Sequence, residues 1–289
     1  MRIAGAPISW GVCEVPGWGF QLSPDRVLQE MAEVGIAATE FGPDGFLPAD
    51  PAAKAATLAS YRLKAVGGFV PVVLHDPGHD PVPEVDRALD GFVAAGGDVL
   101  VLAANSGLDG YDARPVLDAA GWACLLGNLD RLAGLARSRG VVPSLHPHVG
   151  TMIEKRDEVM RVLADSSMPL CLDTGHLLIG GADPVDVVRQ AAERVAHVHA
   201  KDVNAVLAAK VQEGELTYQQ AVAQGLYVPL GRGDVDIAAI VRALTDAGFD
   251  GWYVMEQDTI LPAEPADEGP LGAVRESIAY LSGLAAANG

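Results

Sequence analysis

Eight Val-, Leu- and Ile-rich runs alternate with helix-like stretches, no polar linker divides them, and the runs are apolar on both faces. Together these features predict an α/β fold of the (β/α)8 TIM-barrel type. The candidate strands are Ile3–Trp10, Ile36–Phe41, Lys64–His75, Val99–Asn105, Val141–Pro147, Leu170–Asp173, Val195–Lys201 and Trp252–Glu256. Runs without polar alternation suit parallel strands that are covered by helices. Between them, Ser23-Pro24 supplies an N-cap and a first-turn proline for a helix that Gly35 ends. Asp183-Pro184 and Asp236 open two further helices, the second closing at Gly248. With 49% hydrophobic content, the 289 residues can bury one large core, so one domain over residues 1–289 is expected.

Composition narrows the function classes. Gly, Asp, Pro or His interrupts every apolar run before it reaches the length of a membrane span. The start, Met1-Arg-Ile-Ala-Gly-Ala-Pro, reads as a first strand and lacks the apolar core of a signal peptide. Cys13, Cys124 and Cys171 are an odd, widely spaced set with no CxxC, so reduced thiols and a cytoplasmic address are expected. A net charge of −18 repels a phosphate backbone, which weighs against a nucleic-acid partner. A neutral polyol or a metal-bound ligand meets no such penalty. The sequence leaves a homo-oligomer open.

The polar residues at strand ends carry the chemistry. His146, Asp173, His199 and Glu256 end four successive strands, so a barrel brings their tips to adjacent positions on one rim. Two imidazoles and two carboxylates suit Mn²⁺, Co²⁺, Fe²⁺ or Zn²⁺ and are too rich in nitrogen for Ca²⁺. His148 shares the strand parity of His146, so either can be the strand-five ligand, with His146 the deeper and His148 nearer the substrate. His176, one turn past Asp173, can reach a substrate or merely cap the Thr174-Gly175 turn. Lys201 is a candidate general acid or substrate anchor, or else pairs with Asp202 at the surface; His197 is left unassigned. Trp10, Glu40, His75 and Asn105 end strands one to four and are candidate substrate contacts. Trp10 either offers an aromatic face to a sugar ring or belongs to the core.

Two connections are long: Gly11–Leu22, and Asn204–Asp236 with its amphipathic piece Glu215–Gln224. Long connections at the C-terminal face of a barrel are where substrate lids reside. Arg232, on the second, is a further candidate substrate contact. Its flanking Gly231 and Gly233 lack the GxxxxGK[ST] spacing of a phosphate loop.

Leu172-Asp-Thr-Gly-His176, His197-Val-His-Ala-Lys-Asp202, Ile8-Ser-Trp10 and Thr39-Glu-Phe-Gly42 resemble the xylose-isomerase-like barrels, the sugar phosphate isomerase/epimerase type. Leu145-His-Pro-His-Val-Gly-Thr151, Pro229-Leu-Gly-Arg-Gly-Asp-Val-Asp236 and Gly251-Trp-Tyr-Val-Met-Glu-Gln-Asp258 extend the resemblance from about Ile3 to Asp258. Within that superfamily the chain is most similar to the inosose dehydratase (2-keto-myo-inositol dehydratase) branch. The resemblance implies a divalent metal, typically Mn²⁺ or Co²⁺, and a keto-polyol substrate. It also supplies a contrast. Ketose 3-epimerases of the superfamily carry a glutamate at the end of strand five, opposite the strand-eight glutamate, and so work a carbon from both faces. Here that position is His146. One base suffices for β-elimination, so the replacement favours a dehydratase. The superfamily's endonuclease branch uses three zinc ions and more histidines, which Asn105 and the negative charge argue against.

The leading expectation is therefore a metal-dependent hydro-lyase that removes water from a ketocyclitol such as scyllo-inosose, in inositol catabolism. Glu256 serves as ligand and base, and His176 or Lys201 protonates the departing hydroxide. A keto-sugar epimerase or isomerase on the same metal site is the alternative. A non-catalytic sugar-binding barrel is the third, and it leaves four candidate ligands without a purpose.

Overall fold

The computed structural model describes residues 1–13 and 15–287. Eight parallel strands run around a barrel in chain order: Arg2–Gly5, Ala38–Thr39, a third in two pieces (Lys64–Ala65 and Gly67–Val73), Val99–Asn105, Val142–Leu145, Leu170–Asp173, Val195–Ala200 and Trp252–Met255. The two pieces of strand three form the two ends of the sheet. Val66 joins them, donating to the Thr39 carbonyl at 2.9 Å and accepting from the Val99 N–H at 3.0 Å, so the barrel closes through one residue.

After each strand comes one outer helix: Pro24–Glu33, Pro51–Ser60, Val82–Ala95, Ala119–Ser138, Arg156–Asp165, Pro184–Ala191, Ile237–Asp246 and Leu271–Ala287. Helix starts follow the sequence signals. Ser23, Asp183 and Asp236 each accept a backbone N–H of the first turn that has no partner within the helix. The main core packs the inward faces of these helices on the sheet, with Leu28, Met31, Leu89, Leu129, Val159, Val188, Leu244 and Leu281 buried against the strands. No helix among the described residues is long and apolar enough to cross a membrane.

Strand one is shorter than expected. Pro7 has no N–H to continue a ladder, and Pro7–Trp10 coils into a single 3-10 turn instead. Trp10 consequently turns into the core, fully buried, where its indole N–H donates to Glu30 at 2.7 Å. The connection after strand seven holds two short helices, Ala205–Gln212 and Tyr218–Ala223, and a hairpin pairing Asp202–Val203 with Tyr227–Val228. Its return, Leu230–Val235, wraps around one carboxylate: Asp202 accepts the backbone N–H groups of Val203, Gly231, Gly233 and Val235. A Cβ on Gly233 would lie 2.3 Å from Asp202 Oδ1, which explains the glycine there. Arg232, between the two glycines, points outward and pairs with Glu276.

Candidate active site

Parallel register sets Asp173 beside His199, and His199 beside Val254, at the C-terminal end of the barrel. His146 Nε2 lies 2.9 Å from Asp173 Oδ2, and His199 Nδ1 lies 3.1 Å from Glu256 Oε2 and 3.5 Å from Asp173 Oδ2. Asp173 divides its two oxygens. Oδ1 accepts the His176 backbone N–H and so caps the helix Thr174–Ile179, while Oδ2 faces the imidazoles. His199 Nδ1 is buried between two carboxylates yet makes no hydrogen bond among the described residues. Ligand atoms of Asp173, His199 and Glu256 lie within 4.8 Å of one another, as do those of His146, Asp173 and His176. A buried nitrogen without a hydrogen-bond partner, inside a mixed nitrogen and oxygen set, fits a divalent cation.

The opposite edge of His199 is also engaged. Glu40 Oε1 lies 2.8 Å from His197 Nε2 and 3.0 Å from His199 Nε2. With Nε2–H donating to Glu40, His199 turns Nδ1 toward the carboxylates, the edge through which a metal-binding imidazole would bind once its Nδ1 proton is displaced.

The charges are consistent with this. Burial would raise Glu40, but His199 and His197 outweigh it and keep the carboxylate ionised. Asp173 and Glu256 are likewise held below the ordinary range despite burial, the first chiefly by Lys201, the second by His199 and Lys201. Burial lowers His146, lowers His176 further and takes His148 to about 3, so all three are neutral imidazoles. His199 moves the other way. Glu256 and Glu40 overcome its burial and raise it well above the ordinary value.

Lys201 is buried, and its ammonium lies 2.5 Å from Asp258 Oδ1, 3.0 Å from Glu256 Oε2 and 3.4 Å from His176 Nε2. Asp258 Oδ2 accepts from the Tyr218 hydroxyl at 2.8 Å, and that hydroxyl lies 2.9 Å from the hydroxyl of Tyr227. Lys201 therefore faces inward while Asp202 faces the loop behind, and the two form no surface pair.

A cavity of about 280 Å³ opens over these groups, enough for one small molecule. Glu40, His146, His148, His199, Lys201 and Glu256 reach its wall. The other candidates lie elsewhere: Trp10 is in the core, Arg232 is on the outer surface, and Asn105 accepts the Gly107 N–H in a turn. His75 is half-buried beyond the end of strand three, away from the cavity. His176 stacks behind His148 with ring centroids 3.8 Å apart and does not reach the wall. His148 stands outside the ligand cluster, its Nδ1 at 2.7 Å from the Val149 carbonyl.

Sequence reasoning missed Phe69, Trp18, Tyr111, Tyr218 and Asp258, which also line the cavity. Trp18 and Tyr218 lie within the two long connections flagged as lids, but nothing marks them within those stretches. Asp258 did carry a signal, since it shares strand parity with Glu256 two residues earlier.

An inosose dehydratase from Geobacillus kaustophilus is 30% identical to this chain over 275 residues, covering 89% of the chain and 87% of the relative. Among solved structures, an L-ribulose 3-epimerase superposes with a TM-score of 0.71 at 16% identity, covering 99% of this chain and 95% of the other. The IolI protein, solved with a bound zinc atom, gives 0.70 at 13% identity and covers 100% and 99%. These two likenesses speak to the fold alone. A family model described as xylose isomerase-like TIM barrel matches residues 28–283, and the chain belongs to that family.

Proposed function

We propose that this enzyme is a metal-dependent hydro-lyase that eliminates water from a ketocyclitol such as scyllo-inosose in cytoplasmic inositol catabolism. The reading takes residues 1–289 as one working domain. The observation that carries it is a base and an acid side by side on one wall of the cavity, Glu256 Oε2 at 3.0 Å from the Lys201 ammonium, with a neutral imidazole, His146, at the strand-five position. The inosose dehydratase relative supports the substrate class.

His146, Asp173, His199 and Glu256 would hold the cation, Mn²⁺ or Co²⁺ by chemistry and Zn²⁺ or Fe²⁺ on the same donors. When bound, it supplies Lewis-acid polarisation of the ketone and its neighbouring hydroxyl. Glu256, kept ionised, removes the proton next to the ketone. Lys201, kept charged by Asp258, Glu256 and Asp173 against its burial, gives a proton to the hydroxide leaving the adjacent carbon. A C–H and a C–O bond break, a C=C bond forms and water departs. The proton on Glu256 returns to the neutral Lys201 amine across their contact, which restores both groups. Acid and base on one side make this a syn elimination.

A keto-sugar epimerase is the second reading, favoured by the fact that the His146 imidazole also reaches the cavity wall and can carry a proton. Incubation with inososes and ketoses, with and without Mn²⁺ and in D₂O, separates the two. Metal-dependent dione absorbance with loss of water supports the hydro-lyase. Deuterium at a retained stereocentre without loss of water makes the enzyme an epimerase.

A further inference from the structure

The cavity is roofed by aromatic side chains from three separate connections. Trp18 follows strand one, Tyr111 follows strand four and Tyr218 belongs to the insertion after strand seven. Their ring centroids lie 5.2 Å apart for Tyr111 and Tyr218, 6.3 Å for Trp18 and Tyr218, and 6.5 Å for Trp18 and Tyr111. The Tyr218 hydroxyl is already committed to Asp258 and Tyr227. Trp18 differs: it is only 2% exposed and lines the cavity, yet its indole N–H meets no acceptor among the described residues. Trp10 by contrast donates to Glu30. Trp252, whose N–H also lacks a described partner, does not line the cavity.

Two contacts on either side fix where Trp18 stands. The Gly17 carbonyl accepts from Gln219 of the insertion at 3.2 Å, and the Phe20 N–H donates to the Leu261 carbonyl at 2.7 Å. Gly19, at φ +96°, lets the chain pass so close that a Cβ there would lie 2.3 Å from the Leu261 carbonyl oxygen. A buried donor with no protein partner is costly, and one held in place at a cavity wall is arranged for an acceptor that arrives with the ligand.

We propose that Trp18 is a specificity residue: its indole N–H donates to a hydroxyl oxygen of the bound ring, while Tyr111 and Tyr218 pack against the ring's C–H groups. This deepens the polyol reading and rests on it. The site then selects a ring that is hydroxylated on the side facing the roof, because a ring without that oxygen leaves the N–H unpaired.

Trp18→Phe keeps the aromatic face and removes the donor. Metal-loaded wild type and variant are titrated calorimetrically with myo-inositol, which carries ring hydroxyls and no ketone, and with 1,2-cyclohexanediol as a ring poor in hydroxyls. The variant should bind myo-inositol about 3- to 10-fold more weakly, the loss expected for one neutral hydrogen bond, with the diol unchanged within about twofold. Metal stoichiometry and melting temperature should match wild type, and with an inosose KM should rise while kcat stays within about twofold. Equal affinity of both proteins for myo-inositol overturns the proposal, as does a wild type that binds neither polyol, or a loss that affects both rings alike. If wild type turns over no inosose yet the variant shows the selective loss, Trp18 keeps its role and the dehydratase reading falls.

Discussion

Glu40→Gln tests the carboxylate that would stand behind the proposed ligand His199. Glu40 Oε1 receives the Nε2–H groups of both His197 and His199. Glutamine keeps the shape and one carbonyl oxygen but loses the charge. A hydrogen bond to a charged partner contributes about 1.5–3 kcal/mol and a neutral one about 0.5–1.5, so the His199 bond should weaken by roughly 1–1.5 kcal/mol. Passed to the metal through Nδ1, that corresponds to about 5- to 10-fold in affinity, the lower edge of what partners behind a ligand usually contribute. The pH matters. His199 is raised well above 6.5, so at neutral pH the metal-free protein holds a proton on it, and Glu40 favours that proton as it favours the metal. Removing the carboxylate weakens both competitors, so the loss should be small near neutrality and grow as pH rises and the wild-type proton leaves. Competition for Mn²⁺ against a chromogenic chelator, at neutral pH and at a higher pH where metal binding no longer releases a proton, reads both. Affinity unchanged within about twofold at the higher pH would refute the argument that Glu40 acts through His199.

Three further outcomes are expected. Mn²⁺ binding at neutral pH should release about one proton, because His146 is neutral, Asp173 and Glu256 are ionised, and only His199 carries a proton to lose. Calorimetry in buffers of different ionisation enthalpy measures it; release should decline as pH rises through the raised His199 value, and no release at neutral pH would remove His199 from the ligand set. Glu256→Gln should lower dehydration by about 10²–10⁴-fold, and near-normal turnover with metal bound would move the base to another residue. His146→Glu should retain metal, lose water elimination and gain solvent exchange at the carbon next to the ketone, read by deuterium incorporation. A variant that dehydrates at the wild-type rate would break the one-base argument.

The barrel and the cluster at its rim were legible in the sequence for one physical reason. A parallel strand buried on both faces has no other use for a terminal His or Asp, so Asp173, His199 and Glu256 stand out against Leu172, Val198 and Met255. Trp10 misled because its strand assignment ignored Pro7, which ends the ladder and turns the indole into the core. Arg232 was marked because it lies on a long connection at the rim, but the glycines on either side serve Asp202 and the side chain points outward to Glu276. Glu40 was marked as a substrate contact, but its partners on strand seven are distant in sequence, and no local pattern reveals them. Trp18 lies in a connection with no periodicity and Tyr218 in a short amphipathic piece, and in neither does residue type alone say which ring turns to the cavity.

The carboxylate of Asp202 binds its loop as a receptor binds an anion, with the guest built into the host. Adjacent residues just past strand seven thus have separate duties: Lys201 serves the cavity and Asp202 anchors the return of the insertion. Both ends of the insertion are consequently fixed to the barrel independently of what lies between Asn204 and Leu230. Such a segment behaves as an exchangeable cassette. Its length and its cavity-facing side chains, Tyr218 among them, can be redrawn to suit another ring, provided Asp202 and the backbone donors of Gly231, Gly233 and Val235 are kept. Redesign of substrate choice in this chain would therefore begin in that cassette and leave the strand ends alone.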